Sequence, residues 1–307
     1  MTNQHEITKR MPLLNREGNL TEPGWARGLL WDYHRPDIRA SGMRIKEWDY
    51  YFVSNGHIGL ALTIADNGYM GLDSVSYLDF DEKWEITKSP MRLLPMGKTA
   101  LPETSAAGAS EIARGGYALA FYHDDDGTRK LTFHMDKFRG KDAIEGMISL
   151  SDEPAESMVI ATPFEKSGHF YYNQKINCMR AAGWIELGGA RVELEPETWF
   201  AVLDWGRGVW TYHNTWYWGS ASGELDGVPF GWNIGYGFGD TSAASENVLF
   251  YGGKIHKLSQ VRFEIPMQDG KEDYLKPWRF SSDDGRFEMA FTPILNRAAY
   301  TDRKSVV

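Results

Sequence analysis

WFAVLDWGRGVWTYHNTWYWGSASGELDGVPFGWNIGYGFGDTSAASENVLFYGGKIHKL, residues 199–258, holds six of the chain's twelve tryptophans together with a run of spaced glycines. Aromatic residues alternate with small or polar ones at period two, and glycine cuts the alternation at turn points, which is the pattern of β-strands with broad side chains on one face. The stretch therefore predicts an aromatic-lined cavity in a β-structure.

Outward from that stretch, the same pattern continues. Ser54-Asn55-Gly56 splits two β-rich runs, and Asn-Gly is a strong short-range hairpin signal. Further hairpins are expected about Asp124-Asp125-Asp126-Gly127, Gly188-Gly189, Asp269-Gly270 and Asp284-Gly285. Residues 90–112, rich in Pro, Ala, Gly and Ser, read as a long excursion or lid between strands. Only the segment Thr241 to Asn247 has a trace of helical character. Fourteen or more short strands with regular turn signals argue for barrels or sandwiches rather than a βαβ fold. Residues 1–40 carry Pro12, Pro23 and Pro36, so they read as an extended arm anchored by Trp25, Leu29, Leu30 and Trp31. A first β-barrel is expected over 41–168 and a second over 169–307. The last residues, Asp302 to Val307, read as the opening of a strand, which would leave the second barrel short of closing strands through truncation.

Composition narrows the function. A net charge of −9 offers no basic field for phosphate backbones, which excludes nucleic acid as a partner. No apolar run approaches the ~20 residues of a membrane span, and the start lacks the apolar core of a secretory signal. A single cysteine, Cys178, rules out an intramolecular disulfide framework and fits a reducing, cytoplasmic setting, with the thiol itself read as packed. Oligomeric state is left open.

Several familiar sites are absent. Gly235-Tyr236-Gly237-Phe238-Gly239 has the wrong spacing for a dinucleotide fingerprint, and Gly219-Ser220-Ala221-Ser222-Gly223 has Ala221 where a nucleophile elbow needs serine. The acidic triplet at 124–126 is turn chemistry, without the closing Glu of a calcium loop. The eight histidines are scattered, so no local metal pair exists, and neither metal nor organic cofactor is expected. What remains lies inside the aromatic stretch. Glu246, Asp204, His213 and Asp240 are the candidate catalytic residues. Carboxyl groups beside Trp and Tyr in a dry cavity suit general-acid chemistry, and His213 could shuttle a proton. Candidate ligand contacts are Trp205, Arg207, Trp210, Trp216, Trp218, Trp232, Asn233, Tyr236, Asn247, His256 and Lys257. Asp204 and Arg207, read on a Gly-interrupted turn, serve equally well as a structural ion pair, and Asp240 before Thr241-Ser242 as a cap.

The blocks LDWGRGVWTYHNTWYWGSASG and GDTSAASENVLFYGGKIHKL resemble the bacterial domain-of-unknown-function family 2804, through Asp204 to Gly208 and Glu246-Asn247. More distantly, Asp204-Trp205-Gly206 before Trp216-Tyr217-Trp218 resembles the calycin-like double barrels of carotenoid 1,2-hydratases, prenyl-flavonoid hydratases and tocopherol cyclases, although the acid motif is shorter here. The resemblance implies an all-β fold of two lipocalin-like antiparallel β-barrels, or strongly curved sheets, packed together. It also implies protonation of an alkene in an apolar ligand without a cofactor. Tryptophan and tyrosine faces would stabilise the developing carbocation. The expected function is thus a cofactor-independent lyase, hydratase or isomerase acting on an isoprenoid, steroid or aromatic molecule. The same cavity fits a non-catalytic lipocalin-like binding protein, and Trp with paired acids also fits a carbohydrate-active β-protein.

Overall fold

The N-terminal arm enters as three short strands, β1 (Met11–Pro12), β2 (Gly24–Ala26) and β3 (Trp31–Asp32), in a computed structural model that describes residues 4–124 and 126–298. Trp25 and Trp31 are buried and fasten the arm to the body. A meander follows: β4 (Lys46–Ser54), β5 (Ile58–Asp66), β6 (Met70–Asp79) and β7 (Trp84–Lys88), with β8 (Met91–Leu93) beside β6. Asn55 makes the first turn, its carboxamide oxygen accepting the amides of His57 and Ile58. The excursion after β8 is pinned to the body, since Arg207 donates to the Pro102 carbonyl at 2.8 Å and Arg129 to the Ser105 carbonyl at 2.7 Å.

A second meander comprises β9 (Gly108–Arg114), β10 (Tyr117–His123), β11 (Arg129–Arg139) and β12 (Asp142–Ser151). Then come β13 (Met158–Pro163), the long β14 (Phe170–Leu187), β15 (Ala190–Leu194) and β16 (Phe200–Val209). These join in one 14-stranded sheet whose main path runs β7-β6-β5-β4-β16-β14-β12-β11-β10-β9. It curls until β7 lies against β11 and β9 against β5. Side chains bridge the approach, Tyr117 donating to Asp73 at 2.9 Å, but among the described residues no hydrogen-bonded ladder closes the circle. Among the described residues the chain forms strongly curved sheets rather than closed barrels. The interior is filled by alternate residues such as Leu60, Leu62, Ile64, Leu131, Phe133, Ile148, Leu203 and Trp205. Residue 168 lies in the loop between β13 and β14, two strands that pair with each other in this sheet.

Two further layers stack on the outer face of β14 and β16. Strands β17 (Tyr217–Leu225), β18 (Val228–Tyr236), β19 (Val248–Tyr251) and β20 (Lys254–Lys257) form a four-stranded antiparallel sheet. Its side towards β14 contributes Val248, Phe250 and Ile255 to a core with Trp25, Met158, Ile160 and Tyr171. Its other side, through Ile234 and Trp232, packs on β21 (Val261–Glu264), β24 (Trp278–Ser282) and β25 (Glu288–Phe291). The short hairpin β22 (Met267–Gln268) and β23 (Lys271–Glu272) turns at Asp269-Gly270.

Two local readings are corrected. Asp204 to Gly208 is the interior of β16, not a turn, because every one of these residues pairs with β14 or β4. Thr241 to Asn247 makes a single turn, the Ala243 amide reaching the Asp240 carbonyl at 3.1 Å, and no helix. Among the described residues the sole helical element is a 3-10 turn at Arg35–Asp37. The expected strand opening at 302–307 lies outside the described residues.

Candidate functional site

Alternation along β14 creates the site. Phe170, Tyr172 and Ile176 enter the core of the curved sheet, so Tyr171, Asn173, Lys175 and Asn177 point the other way, towards β17 and β18. Asn177 reaches across to Ser220 at 2.8 Å and to the Ala221 carbonyl at 3.0 Å. Lys175 stands directly opposite Asp204 in register. Its Nζ lies 2.7 Å from Asp204 Oδ1 and 3.1 Å from Glu246 Oε2, and the lysine side chain is wholly buried. These are ionic contacts rather than aligned hydrogen bonds.

Polar neighbours fix each carboxylate. Asn173 donates to Asp204 Oδ1 at 2.7 Å and also to the Trp205 carbonyl. Asn233 donates to Glu246 Oε2 at 3.1 Å, while its own oxygen accepts the Trp218 indole N–H at 2.8 Å. The Trp216 indole N–H faces Glu246 Oε1 at 3.4 Å. The lysine ammonium lies under two aromatic faces, 4.9 Å from the Trp218 ring and 5.8 Å from the Trp216 ring. Removing three charges from water is costly unless they are paired and hydrogen-bonded; both carboxylates have an ion pair and hydrogen-bond donors, whereas Lys175 is held by its two ion pairs and the tryptophan faces.

Two glycines make room for this packing. A Cβ at Gly235 would overlap the Glu246 carboxylate, and one at Gly206 would overlap the Trp48 ring. Trp48 then stacks on Tyr171 with ring centroids 5.8 Å apart, and Tyr171 also meets Trp210, Trp216 and Phe238 edge-on. Burial raises the Tyr171 hydroxyl well above the usual phenol range, with Asp204 and Glu246 adding to the shift. Burial likewise pushes Tyr50, edge-on to Trp218, up to about 12. The buried Tyr171 Oη, Asn173 Oδ1 and Asn177 Oδ1 have no hydrogen-bond partner among the described residues. Buried polar atoms left so by protein are normally satisfied by water or a ligand group.

Asp204, Glu246, Trp216, Trp218 and Asn233 therefore meet at Lys175, and Trp210 joins the adjoining aromatic cluster. Lys257 and Asn247 form a frame behind the acid. Lys257 Nζ holds Ser245 Oγ at 2.8 Å and the Asn247 carbonyl at 3.3 Å, either side of Glu246. The Asn247 carboxamide takes the Gly235 amide at 2.7 Å. Burial pushes Lys257 down to about 7, although Glu246 pulls the other way.

The other candidates lie elsewhere. Trp205 and Arg207 occupy the opposite face of β16, so Asp204 and Arg207 do not pair with each other. Arg207 instead bonds Asp49 at 3.0 Å, with Glu47 at 3.8 Å. Trp232 packs on Phe280 and Phe287, and Tyr236 stacks on Tyr217. His213 and His256 are exposed, and Asp240 caps Ser242 at 3.0 Å. Lys175, Asn173 and Tyr171 escape sequence reading, because polar residues at every second position of a strand look like a face turned to water. Among the described residues no group of three or more His, Cys, Asp or Glu could hold a metal ion.

Fold and site together define a class: an all-β protein of curved, stacked antiparallel sheets with a charged centre buried between two of them. The chain belongs to the family described as Domain of unknown function (DUF2804), whose model matches residues 4–307. No curated protein matches the sequence. A candidate AttH of Nitrosomonas europaea shares the fold, with TM-score 0.54 at 14 % identity over 86 % of this chain and 84 % of that one. Kievitone hydratase of Nectria haematococca aligns with TM-score 0.45 at 8 % identity, over 89 % and 83 % of the two chains. CghA aligns with TM-score 0.43 at 10 % identity, over 90 % and 78 %. No helix among the described residues is long and apolar enough to cross a membrane.

Proposed function

We propose that the chain is a proton-transferring enzyme of the hydratase, lyase or isomerase kind, acting on an apolar small molecule held against Trp216 and Trp218. The observation that carries this reading is Lys175, buried between Asp204 and Glu246 beneath two tryptophan faces. Glu246 takes a proton from Lys175 and passes it to one carbon of a double bond: an N–H bond of the lysine breaks and a C–H bond forms. Positive charge then develops on the neighbouring carbon, where indole faces stabilise it. In a hydration, water adds there and loses a proton to Asp204. In an isomerisation, Asp204 removes a neighbouring C–H proton instead. Lys175 touches both carboxylates and takes back from Asp204 the proton that Asp204 gained, which restores the three charges. Tyr171, Asn173 and Asn177, whose buried polar atoms lack a protein partner among the described residues, are suited to hold the water. The closed setting favours this chemistry over a carbohydrate reaction, which needs paired acids flanking a sugar in a groove.

The test begins with native mass spectrometry and extraction of co-purifying molecules, which supplies the substrate. Glu246→Gln and Asp204→Asn are each expected to lose turnover on the order of a hundredfold or more. If both retain full turnover, the mechanism is wrong. A ligand recovered unchanged after long incubation would make the chain a binding protein.

A further inference from the structure

At β8 and just beyond it the chain turns its apolar residues outward. Met91, Leu93, Leu94 and Met96, with Met43 beside them, are five of the fifteen large apolar or aromatic side chains that stand exposed among the described residues. Leu93 is 75 % exposed and Met91 58 %. Single exposed apolar residues are ordinary, but five together mark a contact surface. They form one patch. Pairing of β8 with β6 sets Met91 beside Leu72 and Leu93 beside Met70. The Met96 amide donates to the Gly68 carbonyl at 3.0 Å. A Cβ at Gly68 would lie 2.5 Å from the Met43 carbonyl oxygen, and one at Gly42 would lie 3.8 Å from the Met96 methyl.

This exposure has a rigid base. Arg92, between Met91 and Leu93, is buried and donates twice to Asp73, at 2.7 and 2.9 Å. Asp66 accepts the Gly97 amide at 2.8 Å and the Thr99 hydroxyl at 2.9 Å. Leu94 and Met96 each hold a φ of 51°, a left-handed conformation that residues with a side chain rarely adopt. Backbone held this way by its surroundings, with apolar side chains facing out, describes a tip fixed for contact.

Charge chooses among partners. From 86 to 102 the sequence has three basic residues, Lys88, Arg92 and Lys98, and no acid, in a chain of net charge −9. Asp73 takes up Arg92, while Lys88 and Lys98 are exposed at the two ends of the tip. Lys137 joins Lys88 at a cleft beside Pro90, where the acid on the lining, Asp136, lies 3.0 Å from His134. A second copy of the chain would bring the same cations to the contact. An anionic lipid surface instead receives both the apolar side chains and the lysines.

We propose that Met43 and residues 91–96 dock the protein on an anionic lipid surface, the apolar side chains entering the interface and Lys88 and Lys98 lying at the headgroups. Arg44, next to Met43, lies 3.8 Å from the Tyr212 ring centroid, and both line the cleft walled by Trp210 and Trp216. Docking thus places an aromatic cleft beside the lipid, where apolar molecules dissolve. The inference goes beyond the catalytic reading and does not depend on it.

The test is flotation of the full chain with vesicles of phosphatidylcholine alone and of phosphatidylcholine mixed equally with phosphatidylglycerol. Binding to the anionic vesicles is expected to be about tenfold tighter or more, an advantage that shrinks with added salt. Met91→Ser with Leu93→Ser is expected to lower that binding about tenfold or more, and both side chains are exposed, so the fold is kept. Lys88→Gln with Lys98→Gln is expected to remove most of the anionic preference. Hydroxyl-radical footprinting should oxidise Met91 and Met96 in the free protein and spare them on anionic vesicles. No binding to either vesicle, equal affinity for the two lipids, or indifference to the serine pair would overturn the proposal, as would Met91 and Met96 already protected in the free chain. Sedimentation velocity addresses the rival occupant: a dimer that the serine pair dissolves, in a chain that ignores vesicles, gives the patch to a second copy and ends the proposal. Flotation needs no substrate. A chain that floats while Glu246→Gln leaves turnover intact loses only the catalytic reading, and one that does not float while turnover depends on Glu246 loses only the dock.

Discussion

Replacing Lys175 with methionine removes the one cation that Asp204 and Glu246 share. Methionine is close to lysine's length and fills the same volume, so the loss is electrostatic rather than a cavity. The side chain is wholly buried, with its Nζ 2.7 Å and 3.1 Å from the two carboxylates. Breaking a buried charge cluster by deleting one partner costs about 3–5 kcal/mol, because the remaining charges stay buried and uncompensated. Asn173, Asn233 and Trp216 still donate to the carboxylates, which places the expected loss near the lower bound, about 3 kcal/mol. That is a large share of a typical stability of about 5–15 kcal/mol. Urea unfolding followed by tryptophan fluorescence reads it as a lower midpoint at unchanged slope. The triple variant Lys175→Met, Asp204→Asn, Glu246→Gln removes all three charges and is expected to recover to within about 1–2 kcal/mol of the parent. A Lys175→Met loss below about 1 kcal/mol, or a triple variant no more stable than the single one, would refute the argument.

Gly235→Ala would drive a methyl group into the Glu246 carboxylate; a stability loss of about 1–3 kcal/mol is expected, with a fall in turnover on the order of a hundredfold, measured by unfolding and by kinetics on the identified substrate. Lys257, held at about 7 in the fold by burial, makes stability rise with pH above that value. The unfolded lysine keeps its proton up to about 10.4, so between these values the unfolded state binds more protons and alkalinity favours the fold. Denaturation from pH 7 to 10 should show a slope that Lys257→Gln lacks, and parallel curves would contradict it. Arg92→Met breaks a buried two-bond pair to Asp73, at 2.7 and 2.9 Å. A loss of about 3–5 kcal/mol is expected, and a melting temperature within a degree or two of the parent would count against it.

Turn chemistry made much of the fold legible in the sequence. Asn55-Gly56, Gly188-Gly189, Asp269-Gly270 and Asp284-Gly285 each lie between paired strands. The carboxylates Asp204 and Glu246 and the indoles of Trp216 and Trp218 stood out because acids beside aromatics are unusual in a strand. Lys175 did not. In the run Phe170 to Asn177 polar groups recur at every second position, Tyr171, Asn173, Lys175 and Asn177, as in a strand with one wet face. Its polar face is instead covered by β17 and β18, and coverage by a distant segment leaves no local mark. Asp204 and Arg207, three residues apart, were open to pairing on a turn. In a strand that spacing puts them on opposite faces, so Arg207 serves Asp49 and Glu47 while Asp204 serves Lys175.

By itself, then, the sequence determined the all-β class, the hairpins and the presence of an acid-bearing aromatic face, because each depends on backbone preferences and side-chain periods over a few residues. The tertiary structure alone decided that, among the described residues, the sheets curve without closing, and that a lysine from β14 joins acids from β16 and from the loop before β19. Those outcomes depend on which faces meet across the layers. A period of two says that a strand has two faces, and only packing says what lies against each.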